Sequence, residues 1–278
     1  MTAVLLALAS SFAYGAADFL GGLAARGAHV LRVVVIAAPA SLLVELCLWP
    51  AAGARFLPGA VTWGALSGFA SAAAFALLYR TLAIGPMSVL SPVTALTSAA
   101  LPVAVGLFEG ERVHGAALGG IALALGAIVV VSGGTDARAL RPTPMALLLA
   151  LGAGAAIALQ LICLHQAPHA SGVAPLLVGR AVSSVAVLGA AVTLRARLGD
   201  TRPNPASSAA AGAVDSLANF AFLLAVRHGD LSTVAVITAL YPAGTVLLAR
   251  ALLAERLATS QAAGLGLAAV AVSMLAIQ

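Results

Sequence analysis

The chain has 278 residues, of which 62% are hydrophobic and only 8% are charged, and its formal net charge is +5 at pH 7. Soluble domains carry roughly 25% charged residues, so this composition excludes a soluble globular fold. The 14 basic residues are all arginines scattered between apolar runs, which argues against a nucleic-acid-binding surface.

Ten apolar segments follow one another along the chain. A membrane-spanning helix needs roughly 20 predominantly apolar residues. Cutting the sequence at charges, prolines and glycines predicts spans at residues 2–24, 31–50, 59–83, 87–108, 114–133, 143–166, 173–194, 206–228, 231–253 and 259–277. The first is interpreted as an uncleaved helix, because no positively charged segment precedes it. The sequence therefore predicts an all-α integral membrane protein without a separate soluble domain.

The fourth and ninth segments belong to an internal repeat. Residues 85–112 and 229–256 align without a gap. The matched residues are Gly85, Ser88, Thr94, Ala95, Leu96, Glu111 and Arg112 in the first copy, and Gly229, Ser232, Thr238, Ala239, Leu240, Glu255 and Arg256 in the second. We expect two five-span repeats, at 1–134 and 143–278. Because five is odd, the second repeat would be inverted, and such proteins commonly bind a solute near the membrane midplane where the repeats meet.

The repeated block resembles the EamA-type transporters of the drug/metabolite transporter superfamily. The resemblance is carried by the Glu-Arg pairs that close both copies, and by Tyr241-Pro242 where the family often has a mid-helix proline. It is carried further by the run 14–22, where tyrosine replaces the usual tryptophan, and by Arg32 and Arg180 near the start of the second helix of each repeat. The resemblance implies a ten-helix plasma-membrane transporter of small metabolites, often an exporter.

Asp18 is the leading candidate for a substrate-binding or coupling residue. An ionised side chain at mid-bilayer costs on the order of 3 kcal/mol, so such residues usually face a cavity or a partner. Asp18 lies deep in the first span, with Tyr14 one turn away. It could couple transport to protons or bind a substrate amine. The alternative is a fixed ion pair with Arg32 or Arg180, and the sequence leaves both open.

Further polar residues could complete a substrate or coupling site. Asp215 and Asn219 lie one turn apart in the eighth span, so they share one face of that helix. Arg180 could pair with either aspartate or bind an anionic group, and Gln160 lies midway along the sixth span. Tyr14 and Tyr241 could line the site or serve as apolar packing.

Other notable residues have structural interpretations. The Glu-Arg pairs at 111–112 and 255–256 are interpreted as interfacial ends of spans, and Glu45 as interfacial. Glycines at a spacing of four, such as Gly64 and Gly68, predict tight helix packing. Prolines inside spans remove backbone hydrogen bonds and either shape a helix or serve as hinges. No histidine or cysteine spacing indicates a metal site, and no cofactor is expected.

The leading hypothesis is a secondary transporter that exports amino acids or related polar solutes. A mixed set of Asp, Arg, Asn and Gln suits a small zwitterion. The alternatives are a multidrug or cation efflux transporter, a membrane-embedded lipid-modifying enzyme and a membrane partner without transport. The absence of a Walker-type loop and of lysine argues against ATP use.

The expected partners are a small-molecule substrate, the lipid bilayer and, as candidate coupling ion, protons. A monomer would suffice, because one chain supplies both halves, and a dimer stays open. Orientation is ambiguous. Counting loop arginines places both termini outside, whereas the family resemblance places them in the cytoplasm.

Overall fold

The computed structural model describes residues 1–25, 28–84, 87–111, 115–132, 143–194, 201–253 and 258–277. The repeat-closing residues Arg112, Glu255 and Arg256 lie outside these ranges. The described part is almost entirely α-helical, as predicted. Eight helical runs are long and apolar enough to cross a membrane, and two shorter apolar helices, Val93–Phe108 and Gly115–Val131, accompany them.

The helices lie close to the predicted spans. In chain order they are α1 Thr2–Ala25, α2 Val30–Ala52, α3 Pro58–Ile84, α4 Met87–Phe108, α5 Gly115–Ser132, α6 Pro144–Gln166, α7 Ala174–Thr193, α8 Pro205–Val226, α9 Leu231–Thr238, α10 Tyr241–Leu253 and α11 Thr259–Ala276. A short 3₁₀ turn, His169–Ser171, lies between α6 and α7. Helices satisfy every backbone group within one segment, which lipid demands.

Polar residues set several helix starts. The Thr143 hydroxyl accepts a hydrogen bond from the Ala146 N–H at 3.2 Å, and Pro144 opens α6. The Asn204 side chain accepts from two N–H groups of the first turn of α8, which again begins with a proline, Pro205. Proline fits the first turn because its missing N–H would have no helical partner there.

Helix α2 continues beyond its predicted end. The sequence predicts an end at Pro50, but the helix runs to Ala52 and stops where Gly53 adopts a positive φ of 69° and donates its N–H to the Trp49 carbonyl. Pro39 and Pro50 both lie inside the helix. Glu45 lies about two turns before the end of this helix.

The ninth predicted span is divided into two helices. Helix α9 ends at Thr238 and α10 begins at Tyr241. The Leu240 N–H donates a hydrogen bond to the Ile237 carbonyl, three residues earlier, at 3.1 Å. This spacing is that of a 3₁₀ turn, which is tighter than an α-helical turn. Pro242 has no N–H to donate to the carbonyl of Thr238, so one bond of the helical ladder is missing at this point. Pro242 thus lies at a helix break.

Neighbouring helices come mostly from opposite halves of the chain. Helix α1 packs against α8 and α10, α3 against α6 and α7, α2 against α7 and α8, α4 against α6 and α9, and α5 against α11. The two halves are therefore interleaved. Large apolar side chains such as Phe69, Leu148 and Val185 are exposed on the outside, as expected of surface that faces lipid.

One end of the bundle, here called the N-terminal face, gathers the start of α1 with several helix ends. A Cβ on Gly229 would lie 2.6 Å from the Cβ of Ala3. The loop after α2 meets the 3₁₀ turn, where the Arg55 N–H donates to the Ser171 carbonyl at 3.0 Å. Leu164, near the end of α6, belongs to the largest buried apolar cluster and lies close to this face.

Glycines let α3 and α7 approach closely. A Cβ built on Gly64 would lie 2.6 Å from the Pro175 carbonyl oxygen, and one on Gly68 would strike the Gly179 carbonyl. Neither contact leaves room for a side chain, which explains the small-residue spacing noted in the sequence.

We expect Gly64→Ala to lower the melting temperature in detergent, because the added methyl group must push α7 away. Gly189→Ala is the matched control, since its new Cβ on α7 meets no atom within 4 Å. This control should stay level or rise slightly, as alanine favours helix by about 1 kcal/mol over glycine. Equal melting temperatures for Gly64→Ala and wild type would contradict the packing role.

Candidate functional site

An open cavity of about 660 Å³ lies in the middle of the bundle. Both halves of the chain contribute to its lining, which is Tyr14, Asp18, Ser71, Ala74, Phe75, Leu78, Ser98, Ile157, Gln160, Leu161, Asp215, Thr238, Ala239 and Tyr241. Its wall is mostly apolar and carries a few polar groups. This composition is typical of a small-molecule site.

Two further cavities adjoin it. One, of about 540 Å³, shares Asp18, Phe75 and Asp215 with the first and extends between the first turns of α2 and α8. A smaller one, of about 200 Å³, shares Ser71 and Gln160 with the first and reaches Asn219. All seven predicted site residues therefore line these three cavities, and their roles stay predictions.

Asp18 faces the cavities as an exposed carboxylate within a largely apolar helix. Among the described residues, no cation lies within 4 Å of its oxygens. The sequence left open a fixed ion pair of Asp18 with Arg32 or Arg180. The pair with Arg180 is wrong, because Arg180 binds Glu45 and Asp215 instead. Asp18 thus presents its carboxyl group to whatever enters the cavity.

Arg180 bridges two acids from different helices. Its Nε donates to Glu45 Oε1 at 3.3 Å, and its Nη2 donates to Asp215 Oδ2. The side chains of Arg180 and Glu45 are 6% and 0% exposed. The fork of the guanidinium suits two carboxylates at once. The bridge joins α7 to α2 and α8 beside the cavities.

The prediction that Glu45 is interfacial is wrong. It is fully buried, and it accepts a hydrogen bond from the Ser216 hydroxyl at 3.0 Å as well as from Arg180. Its burial follows from its partners on α7 and α8, which the position of Glu45 in the sequence does not reveal. Ser41, one turn before Glu45, lies 2.8 Å from Ser216 through its hydroxyl. The spacing of four between Ser41 and Glu45, which places both on one face of α2, is the sequence feature that could have indicated this polar contact.

The amides continue this polar network towards the main cavity. Asn219 donates through Nδ2 to the Asp215 carbonyl at 2.8 Å and lies 3.3 Å from Asp215 Oδ2. Gln160 on α6 donates through Nε2 to Asn219 Oδ1 at 2.8 Å. The network therefore orients Asp215 and fixes Gln160 at the wall.

Three hydroxyls of the main cavity are buried without a hydrogen-bond partner among the described residues. They belong to Tyr14, Ser71 and Thr238. A buried unsatisfied hydroxyl is unfavourable by about 1–3 kcal/mol. A bound polar molecule could supply the missing partner, which favours the cavity-lining interpretation of Tyr14 over simple packing. Tyr241 lines the same cavity from the first turn of α10.

The charges do not favour a substrate carboxylate. Among the described side chains that line the three cavities, Arg180 is the single cation, and Glu45 and Asp215 already bind it. Asp18 adds a further acid. Acidic groups therefore outnumber the one cation among the described residues at the cavities. Of the two charged groups of a zwitterionic substrate, only the amino group has a candidate partner here.

Residues 144–277 match the model of the EamA-like transporter family. No curated protein matches the chain. A solved structure described only as the crystal structure of a protein superposes with a TM-score of 0.77 at 14% identity, over 99% of this chain and 96% of that chain. At this identity the likeness shows a shared fold alone.

We expect Arg180→Gln to destabilise the protein strongly and Asp18→Asn to leave its stability nearly unchanged. Removing one partner of a buried ion pair costs about 3–5 kcal/mol, because the remaining charges lie unpaired. Asp18 has no such partner in the described chain. Melting temperatures in detergent would test this. A drop for Asp18→Asn as large as that for Arg180→Gln would place Asp18 in the structural network.

Proposed function

Because residues 144–277 match the EamA-like transporter family, we propose that the chain is a secondary transporter. It would export amino acids or related small polar solutes across the plasma membrane. The solute would bind in the main cavity, and access would alternate between the two membrane faces. Protons are the proposed coupling ion. The multi-pass membrane character follows from the family and from the apolar helices.

One observation carries this proposal. Asp18 lies exposed where the two larger cavities meet, beside Arg180 and Asp215 but without an ion pair to Arg180. A scaffold has no need of a charge that is unfavourable in the bilayer. A transporter uses such a carboxylate to bind a proton or a substrate amine, and the two would then compete for one site.

The inverted-repeat arrangement is part of the proposal, and helix packing supports it. In the proposed repeats, α1, α2, α3 and α5 correspond to α6, α7, α8 and α11. Under this correspondence the α3–α6 contact is equivalent to the observed α8–α1 contact, and α3–α7 to α8–α2. The contacts α2–α7 and α5–α11 are each equivalent to themselves. An approximate two-fold axis between residues 1–134 and 143–278 accounts for this pattern.

Close glycine contacts follow the same exchange. A Cβ on Gly68 of α3 would strike the Gly179 carbonyl of α7, and one on Gly212 of α8 would strike the Ala37 carbonyl of α2. The main cavity lies between these matched contacts and takes side chains from both halves. One chain thus supplies a whole site, so we propose that a monomer is sufficient.

Efflux of an organic cation is the second candidate function. It is favoured by the binding of Arg180 to two acids, which leaves a cavity with Asp18 as its free charge. A membrane-embedded enzyme receives no support, since the matched family is one of transporters. Uptake into proteoliposomes of a radiolabelled amino acid and of a quaternary ammonium compound would separate the two transport functions.

We expect cells that produce the wild-type protein to enrich one polar solute in the medium, and cells that produce Asp18→Asn to lose this enrichment by about tenfold or more. A charge-assisted hydrogen bond contributes about 1.5–3 kcal/mol, and the amide cannot replace it. Metabolite profiling of the medium at equal protein levels is the measurement.

Asp230→Asn is the matched control for this assay. It removes an exposed acid outside the cavities, at the start of α9. It should export at the wild-type rate. If Asp18→Asn also exports at the wild-type rate across the pH range, Asp18 is neither the coupling site nor the amine site.

A further inference from the structure

The turn after α4 aims two carboxylates at other helices. Gly110 has a positive φ of 94°, which glycine adopts without strain. The Glu111 N–H donates to the Gly106 carbonyl at 2.9 Å, and the Gly110 N–H donates to the Leu107 carbonyl at 3.1 Å. These two bonds form a Schellman motif. It reverses the chain and turns Glu109 and Glu111 in different directions.

Glu111 caps the start of α9 from outside that helix. Its Oε1 accepts from the Leu231 N–H at 2.6 Å, and its Oε2 accepts from the Ser232 N–H at 3.0 Å and from the Ser232 hydroxyl. Asp230, the residue at the ordinary capping position, makes no side-chain cap. Glu111 therefore does more than end α4, because it supplies a missing cap across 120 residues.

Gly106 makes room for this contact. A Cβ at that position would collide with the Glu111 carboxylate and lie 2.5 Å from the Ser232 hydroxyl oxygen. Residues 106–111 thus leave the space for the contact, reverse the chain and supply the carboxylate that accepts the hydrogen bonds.

Glu109 binds a third helix at the same face. Its Oε2 lies 3.2 Å from His165 Nε2, and its Oε1 accepts from Gln166 Nε2. Both partners belong to the last turn of α6. The turn 109–111 therefore ties α4 to α6 and to α9 at once.

The N-terminal face is closed around this turn. Arg227 at the end of α8 donates through Nη2 to the Gly172 carbonyl at 2.6 Å. Ala54, in the loop after α2, forms a β-bridge with the same residue, Gly172. Leu164 and Leu231 are buried below it. The 540 Å³ cavity extends the other way, between Val33 of α2 and Ala211 of α8.

Helix α9 links this closure to the cavity. Its first residues hold the Glu111 carboxylate, and its last residue, Thr238, lines the cavity just before the break at Pro242. Helix α9 is short and buried along its length, and it is capped by Glu111 at one end and bounded by a break at the other. Residues at the ends of such elements are where hinge motions occur.

We propose that Glu109 and Glu111 form a two-carboxylate latch that holds the N-terminal face closed, with Glu111 as the positioning residue of α9. The proposal rests on the alternating access proposed above. Releasing Glu111 frees α9 and shifts the protein towards forms open at this face. The latch sets which face is open and does not bind the solute.

The test measures access to the cavity and needs no solute. Ser71→Cys places a reporter on the cavity wall in a Cys47→Ser, Cys163→Ala background. A membrane-impermeant maleimide is applied to right-side-out and inside-out vesicles, and a tag on residue 1 shows which face is which. We expect slow labelling of the wild-type reporter from the N-terminal face.

Glu111→Gln, Ser232→Ala and Gly106→Ala should each raise the labelling rate from the N-terminal face by roughly tenfold, as expected for losing charge-assisted hydrogen bonds. Labelling from the opposite face should fall at the same time, because one population gains what the other loses. A merely loosened fold would instead raise labelling from both faces. Asp230→Asn, at the neighbouring uncapped acid, should label like the wild type.

Wild-type rates for Glu111→Gln and Ser232→Ala from the N-terminal face would overturn the latch, provided that the denatured protein labels fully. This result would leave the transport proposal intact. If the wild-type protein moves no solute but the latch variants still redistribute labelling, the proposed function fails and the latch stands.

Discussion

The bridge from Arg180 to Glu45 and Asp215 is the interaction on which the centre of the molecule depends. In a low-dielectric interior an unpaired charge is strongly unfavourable, and one planar guanidinium neutralises two carboxylates only in a narrow range of geometries. Three helices, α2, α7 and α8, must meet at this point. Once they do, Ser216 and Asn219 extend the network to the cavity wall.

Close approach of backbones is the second constraint, and it serves the first. The side chains of the bridge can meet only if the helices behind them approach without intervening bulk. Glycines on α3 and α8 allow this, and their carbonyl neighbours on α7 and α2 leave no space for a methyl group. The polar centre and the small-residue contacts are therefore parts of one packing solution.

The sequence predicted the helices and located polar residues within them, because both depend on local composition. Apolar runs of sufficient length must be helical in lipid, and Asp18, Asp215 and Arg180 are conspicuous within them. The partners of these residues could not be predicted. Glu45 and Arg180 are 135 positions apart, and which acid reaches the guanidinium depends on the packing of whole helices.

Local backbone chemistry explains the remaining differences. The sequence predicts that α2 ends at Pro50, yet the helix tolerates this proline and continues to Ala52. Pro242 was noted as a candidate kink, while the full break between α9 and α10 also requires the tightened turn at Leu240. Glu111 caps α9 from 120 residues away, so no local sequence pattern predicts this contact.

The separation of the charged partners along the chain has a consequence for biogenesis. Glu45 enters the bilayer with α2, and its cation is synthesised 135 residues later. Until α7 arrives, the carboxyl group must be held by a proton, by water or by the insertion machinery. Asp215 follows Arg180 by only 35 residues, so the second half inserts with its charges nearly balanced. The first half therefore depends on the second to complete its folding, and translation order becomes part of the assembly pathway.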